Sequence, residues 1–139
     1  MSNFEKFTHR KFKAFDNPMA TITKDKIINF NAMAMRKYIK DFSYAIFYYD
    51  RKDKLIGIEL TNNDAPEAYK IRKDRNNRIG TISAMSFIKY YKIQAKKTLT
   101  YSIEWNEQEK MLIIDLKENQ QKRVFSKQIQ GQSNNEEPL

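Results

Sequence analysis

Apolar and polar residues alternate along the middle of the chain in short runs that polar turns interrupt. The alternation has the two-residue period of half-buried strands, and the run SYAIFYY is nearly continuous, as in a strand that is apolar on both faces. Charged pentapeptides such as DRKDK, DRNNR and NEQEK separate these runs. The pattern predicts strands over residues 20–23, 26–30, 43–49, 55–60, 68–73, 79–82, 99–105 and 111–116.

Two short stretches have a helical period instead. Asn31 and Ser83 are good N-cap residues, and each precedes apolar positions that recur every three or four residues. The first stripe consists of Ala32, Met35, Ile39 and Phe42, and the second of Ala84, Phe87, Ile88 and Tyr91. We therefore predict one short helix in each half of the chain, which gives an α+β fold class.

The two halves of the chain resemble each other. The segment NAMAMRKY, which begins at Asn31, matches SAMSFIKY, which begins at Ser83, with the same residue at four positions. The following hairpins, YYDRKDKLIGI and EWNEQEKMLII, match in the same order. This predicts a small duplicated barrel-like domain in which each half has the order strand-strand-helix-strand-strand, over about residues 19–64 and 65–116. The alternative is convergence, since capped amphipathic helices look alike over eight residues.

The two ends of the chain differ from this single domain of residues 19–116. Residues 1–18 form a basic arm with four phenylalanines, which we expect to lie partly in a groove of the domain or of a partner. Stacking of the arm on nucleic-acid bases is the alternative. Residues 117–139 are rich in Gln, Asn, Lys and Glu, and we expect a polar, flexible tail. The phenylalanines of the arm are Phe4, Phe7, Phe12 and Phe15.

Charge is the strongest compositional signal. The chain has 26 basic and 17 acidic residues, a formal net charge of +9, which favours polyanionic partners. A lysine-rich proteome would give the same excess.

There is no cysteine, no apolar run long enough to span a membrane and no signal-peptide core at the start. We therefore expect a soluble, cytoplasmic protein that does not associate with membranes.

The densest basic patch lies between residues 70 and 78. It contains one acid, Asp74, and its side chains are candidates for phosphate or base-edge contacts. The alternative is a solvated edge strand whose charges prevent aggregation. The basic residues of this patch are Lys70, Arg72, Lys73, Arg75 and Arg78.

A hairpin with a basic turn, a capped helix and an apolar hairpin, present twice, resembles the AbrB-like swapped-hairpin proteins and especially the tandem-repeat, MraZ-like arrangement. The resemblance implies DNA binding, and it implies a dimer or pseudo-dimer. It also implies that Lys24, Lys26, Arg75 and Arg78 face DNA. Neither turn of this chain has the glycine usual in those families, and neither helix begins with their proline.

Catalytic chemistry has little support in the sequence. The only histidine is His9, in the N-terminal arm, and no His or carboxylate spacing suggests a metal site. No glycine-rich loop is present to hold phosphates. We therefore expect no enzyme activity and no cofactor.

Aromatic residues give a second interpretation. Eight tyrosines, nine phenylalanines and one tryptophan exceed the needs of a small core, and Tyr and Trp commonly anchor protein interfaces. A homodimer or another protein partner would bind through Tyr44, Ile46, Tyr48 and Trp105.

Taken together, charge and the family resemblance predict a non-catalytic nucleic-acid-binding protein, for example a small DNA-binding regulator in transcription. The alternative is a protein-interaction module such as an antitoxin, an inhibitor or a small subunit of a complex.

Overall fold

A computed structural model describes residues 3–6 and 17–119. Within these residues, nine antiparallel strands form one nearly closed, barrel-like sheet with two short helical segments. The strands are β1 (Met19–Ile22), β2 (Ile27–Phe30), β3 (Tyr44–Asp50), β4 (Leu55–Thr61), β5 (Tyr69–Lys70), β6 (Arg72–Lys73), β7 (Gly80–Ser83), β8 (Leu99–Asn106) and β9 (Met111–Asn119). Helix α1 (Ala32–Ala34) continues into a π-helical turn (Met35–Ile39), and α2 spans Met85–Tyr90. Seven of the eight predicted strands are therefore confirmed, with bounds shifted by a few residues. The strand predicted over residues 68–73 is wrong, because this segment forms two strands of two residues each, which pair with different neighbours.

The predicted α+β class is wrong. Strands account for 44% of the structure and helices for 13%. The sheet curls until its inner face packs against itself, so no separate helical layer is needed to cover it. The helical segments are short, and they contribute side chains such as Met35, Ile39 and Ile88 to the core of the barrel.

Hairpins from the first and second parts of the chain alternate around the sheet. The strand order is β5-β3-β4-β9-β8-β1-β2-β7-β6. The hairpin β3-β4 therefore borders β9-β8, and β1-β2 lies between β8 and β7. If each strand of the first part is exchanged with its counterpart in the second part, the order around the nearly closed sheet does not change. Strand β4 stays next to β9, and β2 stays next to β7. The internal duplication stays a prediction.

Residues 69–73 bring the two edges of the sheet together. Strand β5 pairs with β3 and β6 pairs with β7, while Ile71 between them is buried. The backbone N–H of Ile71 donates to the carbonyl oxygen of Ser43 at 2.9 Å. One short segment is thus hydrogen-bonded to both edges and nearly closes the barrel.

The core is one continuous cluster on the inner face. Ile28 and Ile82 lie directly opposite each other where β2 pairs with β7, and Ile58 lies opposite Leu112 where β4 pairs with β9. All four are fully buried. Burial of each such side chain contributes about 1.5–3 kcal/mol to stability.

The two predicted N-caps have different outcomes. Asn31 is confirmed, because its Oδ1 accepts hydrogen bonds from the N–H of Ala34 at 2.9 Å and of Met19 at 3.0 Å. Ser83 is not a cap, because it is the last residue of β7. Helix α2 begins after Ala84, which has no side-chain cap hydrogen bond. Pairing of Ser83 with Ile27 extends the ladder and moves the helix start by one residue.

The described residues cover little of the predicted arm and tail. Phe4 is 94% exposed, while His9, Phe7, Phe12 and Phe15 lie outside the described residues. Strand β9 continues beyond Leu116 to Asn119, and the rest of the predicted tail lies outside them too. Among the described helices, none has the length and apolar character needed to cross a membrane.

Candidate nucleic-acid interface

The turn between β1 and β2 presents Lys24 and Lys26. The Thr23 hydroxyl accepts hydrogen bonds from the N–H groups of Asp25 and Ile27, both at 3.2 Å. These contacts hold Lys26 in the left-handed region, with φ of 66°. Lys24 is exposed and Lys26 is half-buried. A conformation that usually favours glycine is therefore occupied here by a cation.

The turn between β6 and β7 has the same construction and presents Arg75 and Arg78. The Asp74 carboxylate accepts from the N–H of Arg78 at 2.6 Å and of Ile79 at 3.0 Å. Asn77 adopts the left-handed conformation, with φ of 56°. The hydrogen bond from the Ile79 N–H, followed by that from Arg78, lowers the pKa of Asp74 below its ordinary value. Both arginines are exposed.

These two turns lie at opposite ends of the barrel. Strands β2 and β7 are antiparallel, and Ile27, next to the first turn, pairs with Ser83 at the far end of β7. Gly80, next to the second turn, pairs with Phe30. The three intervals along this ladder correspond to about 10 Å. The structure therefore separates Lys24 and Lys26 from Arg75 and Arg78.

The first turn forms one wall of a lysine-rich cleft. The opposite wall comes from α2 and the loop that follows it, and the cleft has an open volume of about 550 Å³. The N–H of Lys24 donates to the Thr98 hydroxyl at 3.3 Å, which joins the turn to the end of that loop. Asp25 is the single acid among the lining residues. The lysines that line the cleft are Lys24, Lys26, Lys89, Lys92 and Lys96.

Sequence reasoning missed three residues of this lysine cleft. Lys89, Lys92 and Lys96 recur at intervals of three and four residues, which would have indicated one cationic face if the stretch were helical. Helix α2 ends at Tyr90, and Lys92 instead takes a left-handed conformation with φ of 54°. The sequence therefore shows the spacing of these three lysines, but it does not show that they lie beside the turn that contains Lys24.

The remaining predicted basic residues have different environments. Lys70 and Arg72 are exposed on the outer face, whereas Lys73 is half-buried and donates to the carbonyl oxygen of Lys40 at 2.9 Å. Arg72 lies opposite Thr81, whose hydroxyl donates to Asn29 at 2.9 Å. Lys73 therefore has a structural contact, while Lys70 and Arg72 are free to meet a ligand on the outer face.

Arg72 ends a row of polar side chains that crosses five strands. Successive cross-strand partners form this row on the outer face, and the hydroxyls of Thr21 and Thr100 are 2.9 Å apart. Hydroxyl and amide groups of this kind are common donors to phosphate oxygens. The row consists of Thr100, Thr21, Asn29, Thr81 and Arg72.

The predicted partner-binding residues do not form one surface. Tyr44, Ile46 and Tyr48 alternate with inward residues of β3, so they share the outer face. Tyr48 is 46% exposed, and its hydroxyl donates to the Glu59 carboxylate at 2.6 Å, which is the main cause of its raised pKa. Trp105 pairs with the fully buried Leu112 and so lies on the inner side of the sheet, near one end.

Trp105 lines a small aromatic groove at that end. Its indole ring is stacked on Tyr38, with ring centroids 6.3 Å apart and planes inclined by 19°. The indole N–H donates to the Glu107 carboxylate at 2.7 Å, and 40% of the residue remains exposed. The groove has a volume of about 290 Å³. Its lining residues are Lys37, Tyr38, Phe42, Leu60, Trp105 and Lys110.

Neither metal ligands among the described residues nor similarity to known proteins assigns a function to this chain. Across residues 3–6 and 17–119, no group of three or more His, Asp or Glu side chains is arranged to hold a metal ion. Comparison of the chain with protein-family models, with curated proteins and with solved structures gave no match.

Proposed function

We propose that this protein binds nucleic acid without catalysis, with the lysine cleft as its main contact surface. The observation that carries the proposal is the convergence of five lysines from two separate segments on one open cleft that has a single acidic lining residue. A net charge of +9 adds long-range attraction for a polyanion. Phosphate groups are the chemistry that such a cleft recognises best.

The sheet topology supports the same proposal through the AbrB-like resemblance. Hairpins from the two parts of the chain alternate around the barrel, as a tandem swapped-hairpin arrangement requires. In that arrangement the two basic turns would be equivalent, with Lys24 and Lys26 at one end of the barrel and Arg75 and Arg78 at the other. We propose on this basis that the ligand is DNA and that the protein is a small cytoplasmic regulator.

A salt series tests the proposal. Labelled duplex and single-stranded DNA are titrated with the full chain between about 50 and 200 mM salt, and the affinity is measured by fluorescence anisotropy. We expect binding that weakens steeply as salt rises, because each neutralised phosphate releases a counterion. Absence of binding at the lowest salt concentration would refute the proposal.

A pair of matched variants localises the site. Lys89→Gln/Lys92→Gln removes two charges from the cleft, whereas Lys52→Gln/Lys54→Gln removes two exposed charges from the turn between β3 and β4. Lys92 and Lys54 both have left-handed backbone conformations, so the two variants are comparable in strain. The cleft variant should lose about two units of salt slope and the control should keep the wild-type slope.

Protein binding is the second candidate, and the outer face of β3 favours it. Ile46 and Tyr48 are accessible there, and Met111 covers the space beside Tyr48 that Gly57 leaves open. An apolar face with a tyrosine suits a protein partner or a second copy of the chain. Sedimentation analysis of the wild type and Tyr48→Asp tests self-association, because a dimer through this face would dissociate in the variant.

A further inference from the structure

The Trp105 groove combines a planar aromatic surface with two cations. Lys37 and Lys110 line the groove together with Trp105 and Tyr38. The Lys37 ammonium lies 5.5 Å from the centre of the Tyr38 ring. A ligand that combines a flat ring with negative charge would match both the stacking surface and the lysines.

The indole N–H of Trp105 is already hydrogen-bonded, so the groove offers a ligand the part of the ring surface that the stacked Tyr38 leaves exposed. Glu107 accepts the indole N–H at 2.7 Å, so a ligand gains contact with the π surface without a hydrogen bond to the ring. Stacking of this kind is indifferent to base identity, because every nucleobase has a π face. A protein anchor pocket would be expected to use the polar N–H as well.

Lys110 is available despite its ion pair with Glu107. The two side chains are 68% and 73% exposed, and an exposed ion pair contributes little to stability. A phosphate can therefore compete for Lys110 at low cost. Lys73 donates to the carbonyl oxygen of Lys40, just after the π-helical turn that contains Lys37. The turn that follows Lys73 contains Arg75 and Arg78, so this end of the barrel carries further positive charge.

We infer that the Trp105 groove binds one unpaired nucleobase, stacked on Trp105, with neighbouring phosphates on Lys37 and Lys110. This inference rests on the proposed nucleic-acid function and specifies its ligand as single-stranded. A paired base within a duplex has both faces covered by its neighbours and cannot stack on the indole ring. The lysine cleft lies about 20 Å away along β8, so one strand can contact both sites.

Trp105 is the single tryptophan of the chain, so its fluorescence reports directly on this groove. Wild-type protein is titrated with an oligothymidylate of about 15 nucleotides, within the range of single-strand site sizes, and separately with the matching duplex. We expect the single strand to quench the fluorescence and the duplex to leave it nearly unchanged. Equal quenching by the duplex would overturn the single-strand preference.

Two variants separate stacking from charge. Anisotropy of the labelled oligothymidylate should show about a fivefold or greater loss of affinity for Trp105→Leu, whereas Trp105→Phe keeps an aromatic face and most of the affinity. Circular dichroism melting checks that both variants fold. The quenching of the wild type remains decisive if Trp105→Leu is unstable.

The outcomes distinguish this inference from the proposed function. If anisotropy shows that the oligothymidylate binds, but binding neither quenches Trp105 fluorescence nor weakens in Trp105→Leu, the stacking site is refuted while nucleic-acid binding stands. The groove would then be left to a protein partner. If neither nucleic acid binds at low salt, the proposed function fails and the stacking site fails with it.

Discussion

The sulfur atom of Met35 lies 2.6 Å from the place where a β-carbon on Gly80 would be. Met35 is fully buried in the π-helical turn, and Gly80 is the first residue of β7. The close approach of helix and strand therefore depends on the missing side chain. A methyl group at this position requires the buried thioether to move into a filled core.

Gly80→Ala should destabilise the protein by about 1–3 kcal/mol, the usual cost of overpacking a core. Gly57→Ala is the control, because the added methyl group would meet the end of the more accessible Met111 side chain at 2.8 Å, which can move aside. Urea unfolding measures both variants. Equal stability of the two would show that Met35 repacks freely.

Asn31→Ala should cost about 1–2 kcal/mol of stability, because the cap of α1 is lost. The same side chain also accepts from Met19 N–H and donates to the Asn17 carbonyl oxygen at 2.9 Å, so the entry into β1 loosens as well. Ser83→Ala serves as the comparison, since Ser83 is exposed and does not cap α2. Thermal melting should show a change within about 0.5 kcal/mol for Ser83→Ala.

Asp74 should make stability depend on pH in the acidic range. Backbone N–H groups of Ile79 and Arg78 lower its pKa below the ordinary value of 3.8, so the carboxylate stabilises the fold above pH 3.8. This contribution is lost as the pH falls through the lowered pKa. The stability difference between wild type and Asp74→Asn should therefore be largest near neutral pH and should shrink below pH 3.8.

Urea midpoints measured from pH 7 to pH 2 check this dependence, and an NMR titration of the carboxyl carbon gives the pKa itself. Asp64→Asn provides a reference variant at an exposed carboxylate outside the turn. A difference for Asp74→Asn that stays constant down to pH 2 would contradict the assigned hydrogen bonds.

Lys26→Gly should separate folding from binding. Glycine adopts the left-handed conformation of this position without steric cost, so stability should change by no more than about 1 kcal/mol. If the lysine cleft binds phosphate, the salt slope of binding should fall by about 0.9, the contribution of one contact. Normal stability with an unchanged salt slope would remove Lys26 from the interface.

Local pattern was sufficient to find the strands. The nearly continuous apolar run around Tyr48 and the alternation around Ile103, together with the polar turns, fixed the hairpin positions because these signals are contained within about ten residues. Closure of the sheet was not visible. It depends on the five residues from Tyr69 to Lys73 pairing with β3 on one side and β7 on the other, and neither partner is marked in the sequence.

The candidate site was predicted in part for the same reason. The basic turns were found because their charges are adjacent in the chain, but the contact of Lys24 with the segment that contains Lys92 arises only on folding. Similarly, Tyr48 and Trp105 were grouped by residue type, whereas the register places them on different sides of the sheet. Residue type indicated the chemistry, and long-range pairing determined which side chains meet.

The short segment from Tyr69 to Lys73 has a consequence for how the folded protein opens. Because β5 and β6 contribute only two residues each, few hydrogen bonds hold the two edges together there. Detachment of this one segment would free the edges of β3 and β7 in a single event and turn the barrel into an open, curved sheet. Amide hydrogens along this seam should therefore exchange with solvent before those of β4 and β9, which join the long β3-β4 and β8-β9 hairpins.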